Sequence, residues 1–361
     1  MGWLAERWDR LNGPVRIAGV DLARGLAVIG MFAAHLLWTS EAWVWDDPST
    51  WDSIVDGRSS ILFATLAGVS IGLVTGGGTP LDGDRMGVAR GRLAMRAGML
   101  WAIGILLILT GVPVYVILPA YAILFLLALP FTSWNARSVL YAAAGIGIVM
   151  AFVQPLLNEL PIWSGTNGEA LSAALGWNYP FTVWIAFVLA GLGVARADVT
   201  RLTTQVRMLV AGAALAALGY SLAEIPLPTD SLYLWTVWQA VPHSSGLLEV
   251  IGTGGFAIGV LGACLLLCRV EWIRMLLLPL RATGAMPLTA YTAQLVVWAL
   301  VALAVIGDTG DLVAFRELDP FWPLAIWMMV ACTTWALLVG RGPLEWLLDR
   351  VSRVVVARRD R

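Results

Sequence analysis

Lysine is absent from this 361-residue sequence, histidine occurs twice (His35 and His243), cysteine three times (Cys264, Cys268 and Cys332), and charged residues make up only 13% of the chain. Each shortage excludes something. Without lysine, every side-chain cation other than histidine is an arginine. With two histidines, and all three cysteines inside apolar segments, no set of metal ligands has workable spacing and no disulfide framework can be read; neither a metal nor a disulfide is expected. Charge this sparse, set against 59% hydrophobic residues, 19 tryptophans and a mean hydropathy of +0.79, excludes an ordinary soluble domain. No nucleic-acid partner is expected. The formal net charge of −1 decides little, because in a membrane protein the side on which charges fall matters more than their sum.

What the sequence holds in abundance is long apolar runs. Ten can be placed, at about 17–38, 54–75, 97–111, 114–131, 138–157, 179–195, 208–222, 247–268, 284–306 and 321–339. Following the chain through them puts every arginine on one side except Arg24 and Arg58, which fall within runs, and Arg316, which falls in the loop 307–319 on the other side. An excess of arginine in one set of loops marks the cytoplasm. The fold class is therefore all-α, a polytopic membrane protein of about ten transmembrane helices with both termini cytoplasmic, in a single domain over 1–361. Residues 1–16, with Arg7, Arg10 and Arg16, are expected on the cytoplasmic surface. The first run is longer than a signal-peptide core and no small-residue cleavage site follows His35, so it reads as a retained span. Trp38, Trp51, Trp134, Trp177, Trp272 and Trp322 stand near run ends, as an interfacial belt requires. No internal repeat is seen.

Chemistry concentrates in the first run. Asp21-Leu22-Ala23-Arg24 is followed eleven positions after Arg24 by His35. That step rises about 16 Å and closes nearly three turns, so Arg24 and His35 share a helix face. Ionisable groups within a span are costly and functional by default, and one cavity containing both side chains is expected. The plainer alternatives are an Arg24 pair with Asp21 at i, i+3 and a neutral His35 hydrogen-bonded between helices. Asp56-Gly57-Arg58 opens the second run at a level comparable with His35, which makes them expected neighbours. His243, in Pro242-His243-Ser244-Ser245, and Glu249 stand at the outer start of the eighth run, where loop packing and the helix dipole offer a plainer role. Tyr291 and Gln294 read as interhelical hydrogen-bonding residues, and Cys264 and Cys268 as core. Gly68, Gly72 and Gly76 read as close helix packing; the Gly-rich stretch 76–78 lacks the strand and Lys of a phosphate-binding loop.

These residues carry a resemblance. Asp21-Leu22-Ala23-Arg24 with His35 resembles the Arg-ten-residues-His motif in the first span of the membrane acyltransferase family 3 proteins, which modify cell-surface glycans. The layout of spans is similar to the heparan-α-glucosaminide N-acetyltransferase group, and most closely to the YeiB-like family of bacterial membrane proteins within the transmembrane acyltransferase superfamily. Three later stretches support the last comparison: Asp56-Gly57-Arg58 running into Leu62-Phe63 and Gly68; Pro242-His243-Ser244 with Glu249 and Gly252; and Gly284-Ala285-Met286-Pro287-Leu288-Thr289-Ala290-Tyr291-Thr292-Ala293-Gln294. Gly342-Pro343-Leu344-Glu345-Trp346 is similar to that family's closing motif.

The resemblance implies a multi-pass enzyme of the bacterial plasma membrane, an O- or N-acyltransferase. It would carry an acyl group, acetyl foremost, from cytoplasmic acyl-CoA to an extracytoplasmic acceptor such as a cell-envelope glycan or lipid-linked sugar. On this reading His35, Arg24, Asp56, Arg58, His243 and Glu249 form the catalytic set. The imidazole of His35 or His243 is the base, Arg58 or helix-end N–H groups stabilise the oxyanion, and Asp56 or Glu249 orients the imidazole. Arg24, Arg90, Arg92 and Arg96 would hold the donor, acetyl-CoA, by its phosphates. One departure matters: the heparan enzymes carry a catalytic His in the loop before a Trp, whereas Pro48-Ser49-Thr50-Trp51 has none.

A reading from another class stays open, a secondary transporter or flippase in which Arg24, His35 and Glu249 form an ion path; it predicts broken spans in related halves. A structural subunit of an envelope assembly is a third. Membrane lipid is a partner in every reading, and each admits a homo-oligomer.

Overall fold

The computed structural model describes residues 2–13, 16–39, 43 and 46–356, and among these it is helical with no strand. The helices are α1 (Trp3–Asn12), α2 (Ala18–Leu36), α3 (Arg58–Val74), α4 (Gly83–Ile108), α5 (Leu118–Ala128), α6 (Ala136–Asn158), α7 (Gly165–Leu175), α8 (Phe181–Arg196) and α9 (Leu202–Ala223). They continue with α10 (Leu232–Val237), α11 (Leu247–Leu267), α12 (Glu271–Leu276), α13 (Leu278–Ala285), α14 (Pro287–Val305), α15 (Leu312–Arg316), α16 (Phe321–Leu338) and α17 (Pro343–Val355). Short 3-10 turns cover Pro48–Val55, Leu129–Ser133 and Pro161–Trp163.

Among the described residues, eight segments are long and apolar enough to cross a membrane, and two shorter apolar ones, Leu118–Ser133 and Phe181–Arg196, complete the ten runs read from the sequence. The chain is an all-helical, multi-pass membrane protein.

Two segments differ from expectation. The run limits place Arg85, Arg90, Arg92 and Arg96 in the connection before residue 97, but they lie in the N-terminal part of α4, which is 26 residues, or about 39 Å, long. Hydropathy ends the span where the charges begin, yet Arg and Met are good helix formers and the backbone continues through them. The ninth run is not one helix. Pro287 lacks an N–H and disfavours the helical region for Met286, which takes φ −137° and ψ 56°, so α13 ends there and α14 starts with Pro287 in its first turn.

The chain packs as two compact units. One comprises Met1–Phe63, Leu106–Val114 and Ala263–Leu347. Its spine is α2, which lies along α13 and also touches α14 and α16. Two glycines permit the approach. A Cβ on Gly284 would fall 2.5 Å from the Gly25 nitrogen and 2.8 Å from the Asp21 carbonyl carbon, and a Cβ on Gly25 would fall 2.8 Å from the Leu280 carbonyl carbon. Arg281, fully buried, donates to the carbonyls of Arg274 and Leu11 and to Asn12 Oδ1, fastening the end of α1.

The other unit comprises Ala64–Ile105, Tyr115–Gly262 and Leu348–Arg361. Gly68 of α3 and Gly191 of α8 meet the facing backbone as closely as Gly25 and Gly284 do, which bears out the packing role of Gly68; Gly72 also faces α8, at Leu192 and Ala195. Gly76 is different: at φ +115° it turns the chain after α3. The outer faces of α6 and α9 expose Tyr141, Val149, Val210 and Leu218, as lipid-facing helices do.

Candidate active site

Asp21 sits in the first turn of α2, 2% exposed, and accepts hydrogen bonds from Arg16 and from Arg24 Nη1, the latter at 3.2 Å. Arg16 also donates to the Ala285 carbonyl at 3.3 Å. Burial works against the charge of Arg16, but the Asp21 carboxylate and, more weakly, Glu345 hold its pKa above the ordinary value. Glu345, in the closing motif, accepts the N–H groups of Leu288 (2.8 Å) and Thr289 (3.1 Å) and the Thr289 hydroxyl, so it caps α14 just after the break. A carboxylate on a helix N-terminus is favoured by the unpaired N–H groups and the dipole. The i, i+3 pairing of Arg24 with Asp21 is thus present, inside a larger cluster of two guanidinium and two carboxylate groups.

His35, in the last turn of α2, has a different environment. Its Nδ1 lies 3.4 Å from Gln294 Nε2, and its ring centroid lies 6.5 Å from that of Trp298, one turn further along α14. Gln294 and Trp298 are both fully buried. Trp298 stacks on Phe315 at 4.9 Å. Arg316 donates from Nε and Nη2 to the His35 carbonyl, at 3.1 and 3.0 Å, and its guanidinium lies 5.3 Å from the Trp38 ring. It therefore caps the C-terminus of α2, satisfying a carbonyl that the helix cannot. Burial lowers its pKa from the ordinary value.

The expected single cavity around Arg24 and His35 is not what the packing shows. Ala27, Val28 and Met31, on the same face between them, are 0, 0 and 4% exposed. Close packing of small and flexible apolar side chains separates the two polar clusters, a property of neighbouring helices that the period of α2 alone does not carry. Asp56 and Arg58 flank Gly57, whose φ of +64° turns the chain into α3; Arg58 Nη1 donates to the Ser53 carbonyl at 3.0 Å. Ser59 packs on Gly30, which places the start of α3 about 7.5 Å along α2 from His35, one and a half turns short of it.

His243 and Glu249 belong to the second unit. Glu249, 2% exposed, accepts the N–H groups of His243 (2.7 Å) and Ser245 (2.6 Å) and the Ser244 hydroxyl (3.3 Å), closing the turn before α11. His243 takes φ +62°, an uncommon conformation for a residue with a side chain. Its exposed ring stands edge-on to Tyr179 at 5.5 Å and parallel to Trp184 at 6.3 Å. Glu249 thus holds the His243 backbone.

The arginines assigned to the donor divide. Arg90 donates to Thr132 Oγ1 (2.9 Å) and Ser133 Oγ (3.2 Å), and Arg92 to the Val356 carbonyl (3.3 Å), all neutral acceptors. Arg96 is ion-paired with Asp349 at 3.0 Å. Arg90 and Arg92 therefore keep charge that a phosphate can use, whereas that of Arg96 is offset.

The sequence alone points to Gln294 as an interhelical residue and to Arg316 as an arginine in an outside loop, and to neither as part of the His35 site. Distance along the chain hid both, since they lie more than 250 residues from His35.

The profile of the family described as "Heparan-alpha-glucosaminide N-acetyltransferase, catalytic" matches residues 16–234, more than half of the chain. The chain belongs to this family. A second profile, described as a protein of unknown function (DUF418), matches residues 194–354 and corresponds to the YeiB-like family, so this membrane acyltransferase-related assignment extends over nearly the whole chain. No curated protein matches it. Membership indicates transmembrane acetyltransferase activity in general.

Proposed function

We propose that this protein moves an acetyl group from cytoplasmic acetyl-CoA to a hydroxyl or amine of an extracytoplasmic glycan or lipid-linked sugar, in a bacterial plasma membrane. The observation that carries the reading is the match to the acetyltransferase catalytic family over a region that includes α2, with both Arg24 and His35. His35 removes the acceptor proton as its oxygen or nitrogen attacks the thioester carbonyl; the thiol of CoA leaves and takes up a proton. Arg316, at the same end of α2, supplies positive charge close to where the oxyanion forms. Arg90 and Arg92 are the favoured phosphate contacts. As packed, Ala27, Val28 and Met31 close the direct line along α2, so transfer by this route requires those side chains to move, and Met31 is the flexible member.

The test is radiolabelled acetyl-CoA supplied to inside-out vesicles. Label appearing on glycan or lipid in the wild type and lost in His35→Ala is expected. Equal labelling by both removes His35 from the chemistry, and no labelling by wild type removes the acetyl-transfer reading.

A further inference from the structure

We propose that Gln294 is the positioning residue of His35: its amide oxygen accepts the Nδ1 proton, so that His35 presents Nε2 as its basic nitrogen. For its use this rests on the acyl-transfer reading, but its geometry stands on separate observations.

Gln294 is fully buried halfway along α14, and its terminal amide faces His35 Nδ1 across 3.4 Å. The amide oxygen is left with no hydrogen-bond partner. A primary amide turned end for end occupies the same space, and the two orientations differ only in which end meets the ring. With nitrogen toward Nδ1, the amide occupies the lone pair of Nδ1 and fixes the proton on Nε2. The ring then has no lone pair for an acceptor approaching from the side away from α14. With oxygen toward Nδ1, the carbonyl takes the Nδ1 proton and leaves the Nε2 lone pair to act as base, and it also stabilises the imidazolium formed on proton transfer. The amide N–H groups then occupy the place of the orphaned oxygen.

The surroundings hold the ring for this purpose. Trp298, one turn along the same face of α14, is fully buried and fixed by Phe315. Arg316 fixes the His35 backbone through its carbonyl. The indole Nε1–H of Trp298 also lacks a partner, so two buried polar groups on one helix face, beside one imidazole, are left unpaired. Buried polar groups are ordinarily paired, so two left open beside one imidazole call for a role beyond filling space.

Two histidines make the tautomer directly observable. Full-length protein with isotope-labelled histidine, in detergent or lipid nanodiscs, gives two imidazole signals, and His243→Gln assigns them. In the wild type the nitrogen shifts of His35 should report a proton on Nδ1. In Gln294→Leu the proton should move to Nε2, the preference of a free imidazole, and in Gln294→Glu, which keeps an acceptor oxygen, it should stay on Nδ1. In vesicles, Gln294→Leu should lower kcat on the order of 10-fold or more with KM little changed, and Gln294→Glu should restore much of it. A wild-type proton on Nε2, or an unchanged tautomer in Gln294→Leu, overturns the proposal. The expected tautomers with no acetyl transfer by the wild type leave the positioning role standing and sink only the acyl-transfer reading.

Discussion

Replacing Gly284 by alanine tests the packing on which the Asp21 cluster depends. The added Cβ would meet the Gly25 nitrogen at 2.5 Å and the Asp21 carbonyl carbon at 2.8 Å. Ordinary contact begins near about 3.5 Å and the Asp21 carbonyl oxygen lies nearer still than these two atoms, so α2 and α13 must part by at least about 1 Å, against backbone that cannot rotate away. Overpacking of this kind costs about 1–3 kcal/mol. Gly98, in the middle of α4, is the control: a Cβ there meets nothing within 4 Å, and alanine in a helix interior is favoured over glycine by up to about 1 kcal/mol. Unfolding of the purified protein in one detergent, followed by loss of monodispersity on heating, should place Gly284→Ala below the wild type and Gly98→Ala level with it or above. Equal melting of Gly284→Ala and wild type would refute the argument, since the helices would then have slack that the interatomic distances deny.

Arg196, 5% exposed at the end of α8, donates to the carbonyls of Gly72, Gly77, Thr75 and Thr132 and to the Thr75 hydroxyl. Lysine cannot fork across this set, so Arg196→Lys should destabilise by about 3 kcal/mol, and a melting temperature unchanged by the substitution would count against a structural role. Glu249→Gln keeps one acceptor oxygen but puts an NH2 in place of the other, so one of the two backbone N–H groups, of His243 or of Ser245, faces a donor. It should cost about 1–3 kcal/mol and speed proteolysis between Trp238 and Gly246, and a cleavage rate equal to wild type would show that Glu249 does not hold the His243 turn.

The helices were legible because hydropathy is summed along the chain. Each run of apolar residues long enough for a bilayer names itself, and the arginine bias then orders the loops into the expected topology. Legibility failed where local chemistry cut across that sum. Pro287 divides the ninth run, and the arginines of α4 extend a helix beyond its apolar part. At the site, the Arg24 pair with Asp21 could be read because i, i+3 neighbours on a helix meet whatever surrounds them.

By itself, then, the sequence determined an all-helical membrane protein with a guanidinium and an imidazole on one face of α2, since period and hydropathy are properties of a single segment. Tertiary structure alone decided that Ala27, Val28 and Met31 close the space between them, and that Gln294, Trp298 and Arg316 surround His35. Those contacts join residues far apart in the chain. They follow from how closely particular glycines let particular helices approach, which no single segment encodes.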